Sequence, residues 1–270
     1  MGAVPELPEV ESVRRQLAPK LTGRRVLAVS VTPQLRFHDV EAATGRTIER
    51  VWRRGKYLLA ALDDDHELVM HLGMTGAFRF RSDPGWQPDA YVRATFTLDD
   101  DVLDFRDVRR FGTLAVVPAG DYRSLATLAM LGPEPLSDDF DPDAFAAALA
   151  RTTMPVKPFL LTQRPVAGVG NIYADEALWR ARINPRARRV GRARAHALWR
   201  AIREVLAEAI EREGTTFRDY QMVNGESGRN ADFLVAYGQS GRPCPRCGTA
   251  LVKTVLGGRG TTYCPRCQRR

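Results

Sequence analysis

The segment Gly132-Pro133-Glu134-Pro135 divides the chain of 270 residues into two parts with different sequence patterns. Before it, runs rich in Val, Leu, Phe, Thr and Tyr alternate with polar breaks such as Asp63-Asp64-Asp65 and Asp99-Asp100-Asp101, a pattern typical of strands joined by hairpins. After it, Ala-rich stretches carry apolar residues at helical spacing. Because the strands precede the helices and do not alternate with them, the sequence predicts an α+β fold.

The first part is predicted to form an antiparallel β-sandwich or barrel with one leading helix. The helix is indicated by Pro8, which suits a first helical turn, and by the spacing of Val10, Val13 and Leu17. Strands are predicted over Arg25–Thr32, Thr47–Asp63, His66–Phe80, Tyr91–Leu98 and Val102–Val117.

The second part is predicted to contain three helices. Asp141 has the position of an N-cap, and Pro142 opens a helix that reaches about Ala150. A short helix is predicted over Asp175–Ala181. The clearest helix is Arg194–Glu213, because its apolar residues share one face and Gly214 follows its end.

Charge is distributed unevenly along the chain, whose net charge is +8. Residues 1–135 have a net charge of −1, and residues 136–150 carry four Asp and no base. Residues 151–270 carry 22 basic and 9 acidic side chains, a net charge of +13. Such a segment suits a polyanionic partner such as nucleic acid. The alternative is a charge that serves solubility in an Arg-rich proteome, since 36 of the 40 bases are Arg.

Composition excludes several classes of protein. With 44% hydrophobic and 27% charged residues, the chain has the balance of a folded globular protein rather than a disordered one. No apolar run approaches the roughly 20 residues that span a bilayer, and the first residues carry acids where a signal peptide needs an apolar stretch. We therefore expect no membrane partner and a cytoplasmic location, where thiols stay reduced.

The four cysteines form two paired knuckles, Cys244-Pro-Arg-Cys247 and Cys264-Pro-Arg-Cys267, separated by 16 residues. This spacing places four thiolates around one tetrahedral Zn²⁺, and it leaves no open position for catalysis, so the sequence predicts one structural zinc. Free cysteines or disulfides are the alternative. Between the knuckles, Arg259 lies within Gly257-Gly258-Arg259-Gly260, where it could reach a phosphate or belong to an ordinary tight turn.

A set of short motifs, together with the two knuckles, resembles the formamidopyrimidine-DNA glycosylase family. The motifs are Pro5-Glu6-Leu7-Pro8-Glu9-Val10, Arg54-Gly-Lys56-Tyr-Leu-Leu, His71-Leu-Gly-Met74-Thr-Gly, Arg109-Arg-Phe111-Gly, Leu131-Gly-Pro-Glu-Pro-Leu and Gly168-Val-Gly-Asn171-Ile-Tyr-Ala-Asp-Glu176. Each motif alone is weak, but their order and spacing are specific, and they run from Pro5 to the last cysteine.

The resemblance implies three domains: a β-sandwich over residues 1–133, a helix–two-turn–helix domain over 134–235 and a zinc finger over 236–270. It also implies that damaged double-stranded DNA lies between the two halves. The protein is then expected to act as a monomer in the bacterial cytoplasm, in association with the nucleoid.

The resemblance further implies a nucleophile and its assistants. A free amine on Pro5 would attack the sugar C1′ and form an iminium, whose β- and δ-elimination then cut the strand. Glu6 matches the acid that protonates the sugar ring or the leaving base, and Glu9 supports the motif. Lys56 matches the lysine of β-elimination, although an exposed rim charge is the alternative. Arg259 matches the arginine of phosphate contact and δ-elimination.

Other residues match the DNA-binding positions of the family. Met74, Arg109 and Phe111 match three side chains that fill the gap left by an extruded base. Taken singly, Met74 and Phe111 are more often core residues, but their neighbouring glycines favour loop tips. The remaining matches, to residues at the DNA surface, are His71, Arg151, Lys157 and Asn171; for His71, a hydrogen-bonded strand histidine is the alternative.

The sequence departs from the family at three places. Residues 1–4 precede Pro5, and an amide nitrogen has no lone pair for the attack. We expect translation to start at a GTG codon for Val4, so that removal of Met would free Pro5. At Pro88–Tyr91 the usual histidine is missing, and no site is carried over. The segment Met222–Asp232 matches the family's lesion-capping loop only loosely.

These features predict a bifunctional DNA glycosylase and AP lyase for oxidised purines such as formamidopyrimidines and 8-oxoguanine. One alternative is the sister group that excises oxidised pyrimidines, against which Leu7 and the gap-filling residues argue. Another is a protein that binds lesions without catalysis, which would apply if residues 1–4 are retained.

Overall fold

The structure is a computed structural model that describes residues 4–83, 85–215, 223 and 227–269. The chain divides into two compact units, Met1–Ala129 with Glu213–Arg229 and Met130–Arg212 with Asn230–Arg270. No helix among the described residues is long and apolar enough to cross a membrane.

The first unit consists of two β-sheets and a leading helix. Its strands are β1 (Val26–Val31), β2 (Phe37–His38), β3 (Ile48–Arg54), β4 (Tyr57–Leu62), β5 (His66–His71), β6 (Gly76–Phe80), β7 (Val92–Leu98), β8 (Val102–Asp107) and β9 (Thr113–Pro118). Its helices are α1 (Leu7–Leu21) and the short α2 (Ala126–Ala129). One sheet has the order β1-β7-β8-β6 and the other β2-β9-β5-β4-β3. The ladders are antiparallel as predicted, except for the two-residue parallel pair β2–β9.

A single apolar cluster joins the two sheets and α1. Phe78 and Phe105 come from the first sheet, Leu58 and Met70 from the second, and Leu17 from α1, and all five side chains are almost fully buried. Each strand contributes alternate side chains to this cluster because successive residues of a strand point to opposite faces. The predicted sandwich with a leading helix is therefore confirmed.

Three of the predicted strands are each two strands: the first run forms the β3–β4 hairpin, whereas the other two each pass from one sheet to the other. The runs are Thr47–Asp63 (β3 and β4), His66–Phe80 (β5 and β6) and Val102–Val117 (β8 and β9). Each turn contains a residue in the left-handed backbone region, namely Gly55 (φ 57°), Gly73 (φ 62°) or Arg110 (φ 58°). A single such residue changes the direction of the chain without a polar break, so composition alone does not indicate these turns. They carry Lys56, Met74, Arg109 and Phe111.

The second unit is helical and ends in a hairpin. Its elements are α3 (Pro142–Arg151), α4 (Val156–Leu161), α5 (Asn171–Arg180), α6 (Arg192–Glu211), β10 (Val252–Leu256) and β11 (Arg259–Tyr263). Asp141 caps α3 as predicted, since its side chain accepts a hydrogen bond from Ala144 N at 2.7 Å. Helix α5 begins four residues before the predicted start, because Gly170 is its N-cap. Helix α4 was not predicted, since it has only six residues and contains a proline.

Candidate active site and zinc centre

The motif around Pro5 lies at the beginning of α1. Pro5 and Glu6 are buried directly before the helix, and Glu9 is buried in its first turn. The Glu9 carboxylate accepts two backbone hydrogen bonds, from Glu6 N at 2.8 Å and from Thr215 N at 2.6 Å. Glu9 therefore holds the residue next to Pro5 against the segment that follows α6, and both belong to the first unit.

Gly214 makes this contact possible. Its φ is +82°, and a Cβ at this position would lie 2.7 Å from Glu9 Oε1. Any other residue would push against the carboxylate and would also strain the backbone. From the sequence, Gly214 is recognisable only as the residue after a helix, and a Gly-Thr pair at that point is a weak signal of such a site.

Lys56 and His71 belong to neighbouring strand ends. Lys56 lies in the β3–β4 turn, while Tyr57 and His71 are partners in the β4–β5 ladder with ring centroids 4.6 Å apart. Burial, then the charges of Lys56 and Arg36, lowers the pKa of His71 to about 4. Gly73 N donates to His71 Nδ1 at 3.1 Å, so the neutral ring carries its proton on Nε2. His71 is thus an uncharged donor at neutral pH.

Met74, Arg109 and Phe111 are brought together by the β5–β6 and β8–β9 turns. A Cβ on Gly73 would lie 2.4 Å from the Phe111 carbonyl carbon, so the two turns are in direct backbone contact. The Arg109 guanidinium lies 5.0 Å from the centroid of the Phe111 ring. Phe111 is 41% exposed and Met74 is half-buried, so neither is a core residue.

Asp107 organises these two turns. Its carboxylate is fully buried and accepts hydrogen bonds from Thr75 Oγ1 at 2.5 Å, from Arg109 N at 3.2 Å and from Gly112 N at 2.7 Å. Arg109 N also donates to Thr75 Oγ1 at 3.0 Å. Neither Asp107 nor Thr75 was predicted from the sequence as a site residue. An aspartate that ends an apolar strand directly before a loop was the one available signal.

In the second unit, the beginning of α5 presents Asn171 as its first residue. Gly168 has a φ of +79°, and its N–H donates to Gln163 Oε1 at 3.0 Å. The Asn171 Oδ1 atom is buried and has no hydrogen-bond partner within the described part of the chain. Backbone N–H groups at the start of a helix favour an anion. Arg151 is exposed at the end of α3.

Lys157 is fully buried in α4, unlike a surface phosphate contact. Its Nζ lies 2.7 Å from Asp175 Oδ1 and donates to Gly260 O at 3.1 Å. A contact between Lys157 and a DNA phosphate would require this ion pair to open. Arg259, in contrast, is exposed at the tip of the β10–β11 hairpin, next to the Gly257–Gly258 turn.

The four cysteines meet as the spacing predicted. Their Sγ atoms all lie within 4.8 Å of one another, and no pair forms a disulfide. The separation between Cys247 Sγ and Cys264 Sγ is 3.5 Å, close to the ~3.8 Å edge of a tetrahedron with Zn–S bonds of about 2.3 Å. Four thiolates and no other ligand form a closed structural site for one zinc ion.

Four arginines surround this zinc centre. They line a cavity of about 490 Å³ together with two of the cysteines; the lining residues are Arg182, Arg246, Cys247, Arg266, Cys267 and Arg269. Among the described residues, none of the four forms a salt bridge with a carboxylate. A zinc ion with four thiolates carries a net charge of −2, so these arginines offset the charge of the centre itself.

Three family models match the chain. The formamidopyrimidine-DNA glycosylase N-terminal domain matches residues 4–114, the H2TH domain of the same enzyme matches residues 131–221, and the zinc finger found in FPG and IleRS matches residues 241–270. These matches confirm the predicted succession of a β-sandwich, a helix–two-turn–helix domain and a zinc finger.

Relatives and solved structures agree with these models over nearly the whole chain. A formamidopyrimidine-DNA glycosylase from Deinococcus radiodurans is 47% identical and covers 98% of this chain and 97% of its own length. The crystal structure of the MutM (Fpg) protein from Thermus thermophilus has a TM-score of 0.91 at 47% identity, with 98% of each chain covered. A Lactococcus lactis FPG mutant in complex with Fapy-dG-containing DNA has a TM-score of 0.89 at 36% identity, with 98% of this chain and 100% of that chain covered. The chain belongs to the formamidopyrimidine-DNA glycosylase family.

Proposed function

We propose that this protein is a DNA glycosylase and AP lyase that removes oxidised purines, namely formamidopyrimidines and 8-oxoguanine, from double-stranded DNA. The observation that carries the proposal is the Pro5-Glu6 motif, which is buried at the start of α1 and held there by Glu9. The relatives of this protein bear the name formamidopyrimidine-DNA glycosylase, and structures of the Lactococcus lactis relative contain Fapy-dG DNA.

The reaction begins at Pro5. Its nitrogen must be a free secondary amine, because the nitrogen of an amide has no lone pair to share; the active form therefore begins at Pro5. The lone pair forms a bond to C1′ while the glycosidic bond breaks, and the base leaves with that electron pair and a proton. Glu6, buried beside Pro5, is placed to supply the proton to the sugar ring or to the base.

The attached Pro5 nitrogen then loses its proton, the C1′–O4′ bond breaks, O4′ takes up a proton, and the nitrogen lone pair forms an iminium with C1′. This iminium directs strand cleavage. It acidifies the C2′ protons, and loss of one of them expels the 3′ phosphate with the electron pair of its C–O bond. Lys56, at the β3–β4 turn, is the residue that we assign to this β-elimination. Arg259 is assigned to the phosphate that leaves in the subsequent δ-elimination.

Met74, Arg109 and Phe111 are proposed to fill the space of the extruded nucleotide. Phe111 supplies an exposed ring that can enter the base stack, and Arg109 supplies donors for the orphaned partner base. Because the Asp107 carboxylate fixes both turns, the three side chains form one preorganised surface. Filling the gap offsets the few kcal/mol that unstacking costs.

Phosphate contacts are proposed for His71 in the first unit and for Arg151, Asn171 and Arg259 in the second. Lys157, which the sequence predicted as such a contact, is fully buried in its ion pair with Asp175 and is not assigned one. The net charge of +13 over residues 151–270 supports this assignment, since cationic side chains release counterions from DNA on binding. We further propose functional divisions at residues 1–133, 134–235 and 236–270, action as a monomer, and a location with the chromosomal DNA in the bacterial cytoplasm.

Borohydride trapping tests the proposal. A chain that begins at Pro5 should form a covalent adduct with a duplex containing 8-oxoguanine after reduction, and Pro5→Gly, whose terminal amine is primary, should lower the yield of adduct. The chain that retains residues 1–4 should form none. If the Pro5-initiated chain binds the lesion duplex but is never trapped, the enzyme assignment is wrong and the protein is a lesion-binding protein.

The same assay separates purine from pyrimidine lesions. We expect faster excision of 8-oxoguanine than of thymine glycol when each is placed opposite its normal partner in the same sequence. Faster excision of thymine glycol would assign the protein to the sister group that excises oxidised pyrimidines. It would leave the Schiff-base mechanism intact.

A further inference from the structure

One buried ion pair connects three elements of the second unit. The side chains of Lys157 in α4 and Asp175 in α5 are 0% and 1% exposed, and Lys157 Nζ lies 2.7 Å from Asp175 Oδ1. Each partner also contacts the backbone of β11. Lys157 Nζ donates to Gly260 O at 3.1 Å, and Asp175 Oδ2 accepts from Thr262 N at 2.9 Å.

Such a pair is a poor way to obtain stability alone. Two charges lose their hydration on burial, and apolar side chains of similar volume often stabilise a fold equally well or better. A charged pair with additional hydrogen bonds instead fixes the positions of the groups around it, because each hydrogen bond forms only when its partner lies at the right distance and angle. Here the directed contacts are made to alternate residues of one strand.

That strand begins with Arg259. Gly260 follows it directly, and Thr261 Oγ1 donates to Arg259 O at 3.1 Å. On the other side of the turn, a Cβ on Gly257 would lie 3.6 Å from Pro158 Cγ, so the tip also rests on α4. Asn171 lies four residues before Asp175 on the same helix. The ion pair therefore fixes the tip of the hairpin relative to the beginning of α5.

We propose that Lys157 and Asp175 are positioning residues for Arg259. They hold the hairpin so that Arg259 and the start of α5 meet the DNA backbone in a fixed relation. This role rests on the proposed function of Arg259, and it assigns to Lys157 a task that a buried ammonium group can perform without reaching the DNA.

A mutant cycle tests the proposal in the full chain that begins at Pro5. The pair variant K157M/D175L replaces both charges with apolar side chains of similar size and keeps the site filled. It is compared with R259A and with the triple variant that carries all three changes. Lys253→Met is the matched control, because it removes one exposed charge from the same hairpin without touching the ion pair.

The principal readout is the ratio of δ-elimination to β-elimination products on an abasic duplex, which gel mobility separates. Because a small displacement of a positioned group is costly, we expect the pair variant to lower this ratio on the order of tenfold to a hundredfold. In the R259A background the pair variant should have no further effect, and K253M should behave like the unmodified chain. An unchanged ratio, or an effect that multiplies that of R259A, would overturn the proposal.

A second readout does not depend on catalysis. The amide proton of Thr262 should exchange at least about tenfold faster in the pair variant than in K253M, with one zinc ion retained per chain. Unchanged protection at Thr262 would show that the ion pair does not hold the strand. If the unmodified chain cleaves no abasic DNA, the proposed function fails, and the exchange experiment still decides whether the positioning contact exists.

Discussion

Glu9 organises the proposed reaction centre by accepting hydrogen bonds from two backbone N–H groups. Its carboxylate accepts from Glu6 N and from Thr215 N, and Thr215 lies 206 positions after Glu9 along the chain. A carboxylate that accepts two buried N–H bonds keeps its position because leaving either donor unpaired is costly. Pro5 and the segment after α6 are thereby tied together, and Gly214 is the residue that permits this approach.

Gly214→Ala should uncouple that contact. The new Cβ would lie 2.7 Å from Glu9 Oε1 at a φ of +82°, so Glu9 must move as well as the backbone. Gly23→Ala is the matched control, because Gly23 has the same φ and open space around its Cβ position. Both variants should lose about 1 kcal/mol of unfolding free energy through backbone strain. Single-turnover excision should fall at least about tenfold in G214A alone; equal rates in the two variants would show that Glu9 does not position Pro5.

His71 is expected to make the free energy of unfolding depend on pH. Its pKa of about 4 in the folded protein lies below the ordinary value of 6.5, because burial and the charges of Lys56 and Arg36 oppose protonation. Between these values the unfolded chain binds more protons than the folded chain, so acid favours unfolding. The contribution of His71 is complete above pH 6.5 and is lost as the pH falls toward 4.

Urea unfolding at several pH values measures this contribution. His71→Asn should flatten the decrease in unfolding free energy between pH 6.5 and 4, whereas His38→Asn, at an exposed site in the same sheet, should retain the steep decrease. Parallel curves for H71N and the unmodified chain would indicate that His71 titrates alike in the folded and unfolded states.

Among the elements, periodicity predicted helices and strands, which depend on neighbouring residues. It did not predict contacts between residues that are distant in the sequence. Helix α6 was recognisable because its buried residues, among them Leu198, Val205 and Leu206, recur at helical spacing. The β3–β4 hairpin was read as one strand because a single left-handed residue, Gly55, makes its turn. The roles of Asp107 and Asp175 were not predicted, because the partners of their first contacts, 32 and 18 residues away, are brought close only in the folded chain.

The zinc hairpin is expected to depend on its metal. Its two strands have only five residues each and few buried side chains, so the metal supplies most of their stability. Removal of zinc by a strong chelator should abolish tight binding to lesion DNA, because Arg259 loses its support. Hydrogen exchange in β4, β5 and β8 should remain protected, since these strands have their own core. Retained affinity without zinc would contradict the role assigned to the hairpin.

In the whole molecule, the net charge of +8 is the sum of −1 over residues 1–135, −4 over residues 136–150 and +13 over residues 151–270. The two compact units do not coincide with this division, because Glu213–Arg229 belongs to the first unit although it follows the helices. The chain thus returns to the sandwich after α6 and brings Thr215 to Glu9. Arg151 and Arg259, both exposed in the second unit, are the cationic side chains proposed to contact phosphates.

The salt dependence of binding measures how many of these charges the DNA uses. Each phosphate neutralised by a cationic side chain contributes about 0.9 to the slope of log affinity against log salt concentration. Arg259→Ala should therefore weaken binding to all duplexes alike and reduce the slope by about one. Arg123→Ala is the control, because Arg123 is also exposed but belongs to the first unit and is paired with Asp121. If both variants leave the slope unchanged, Arg259 is only a turn residue, and the phosphate contacts of the second unit must come from the α3 and α5 ends.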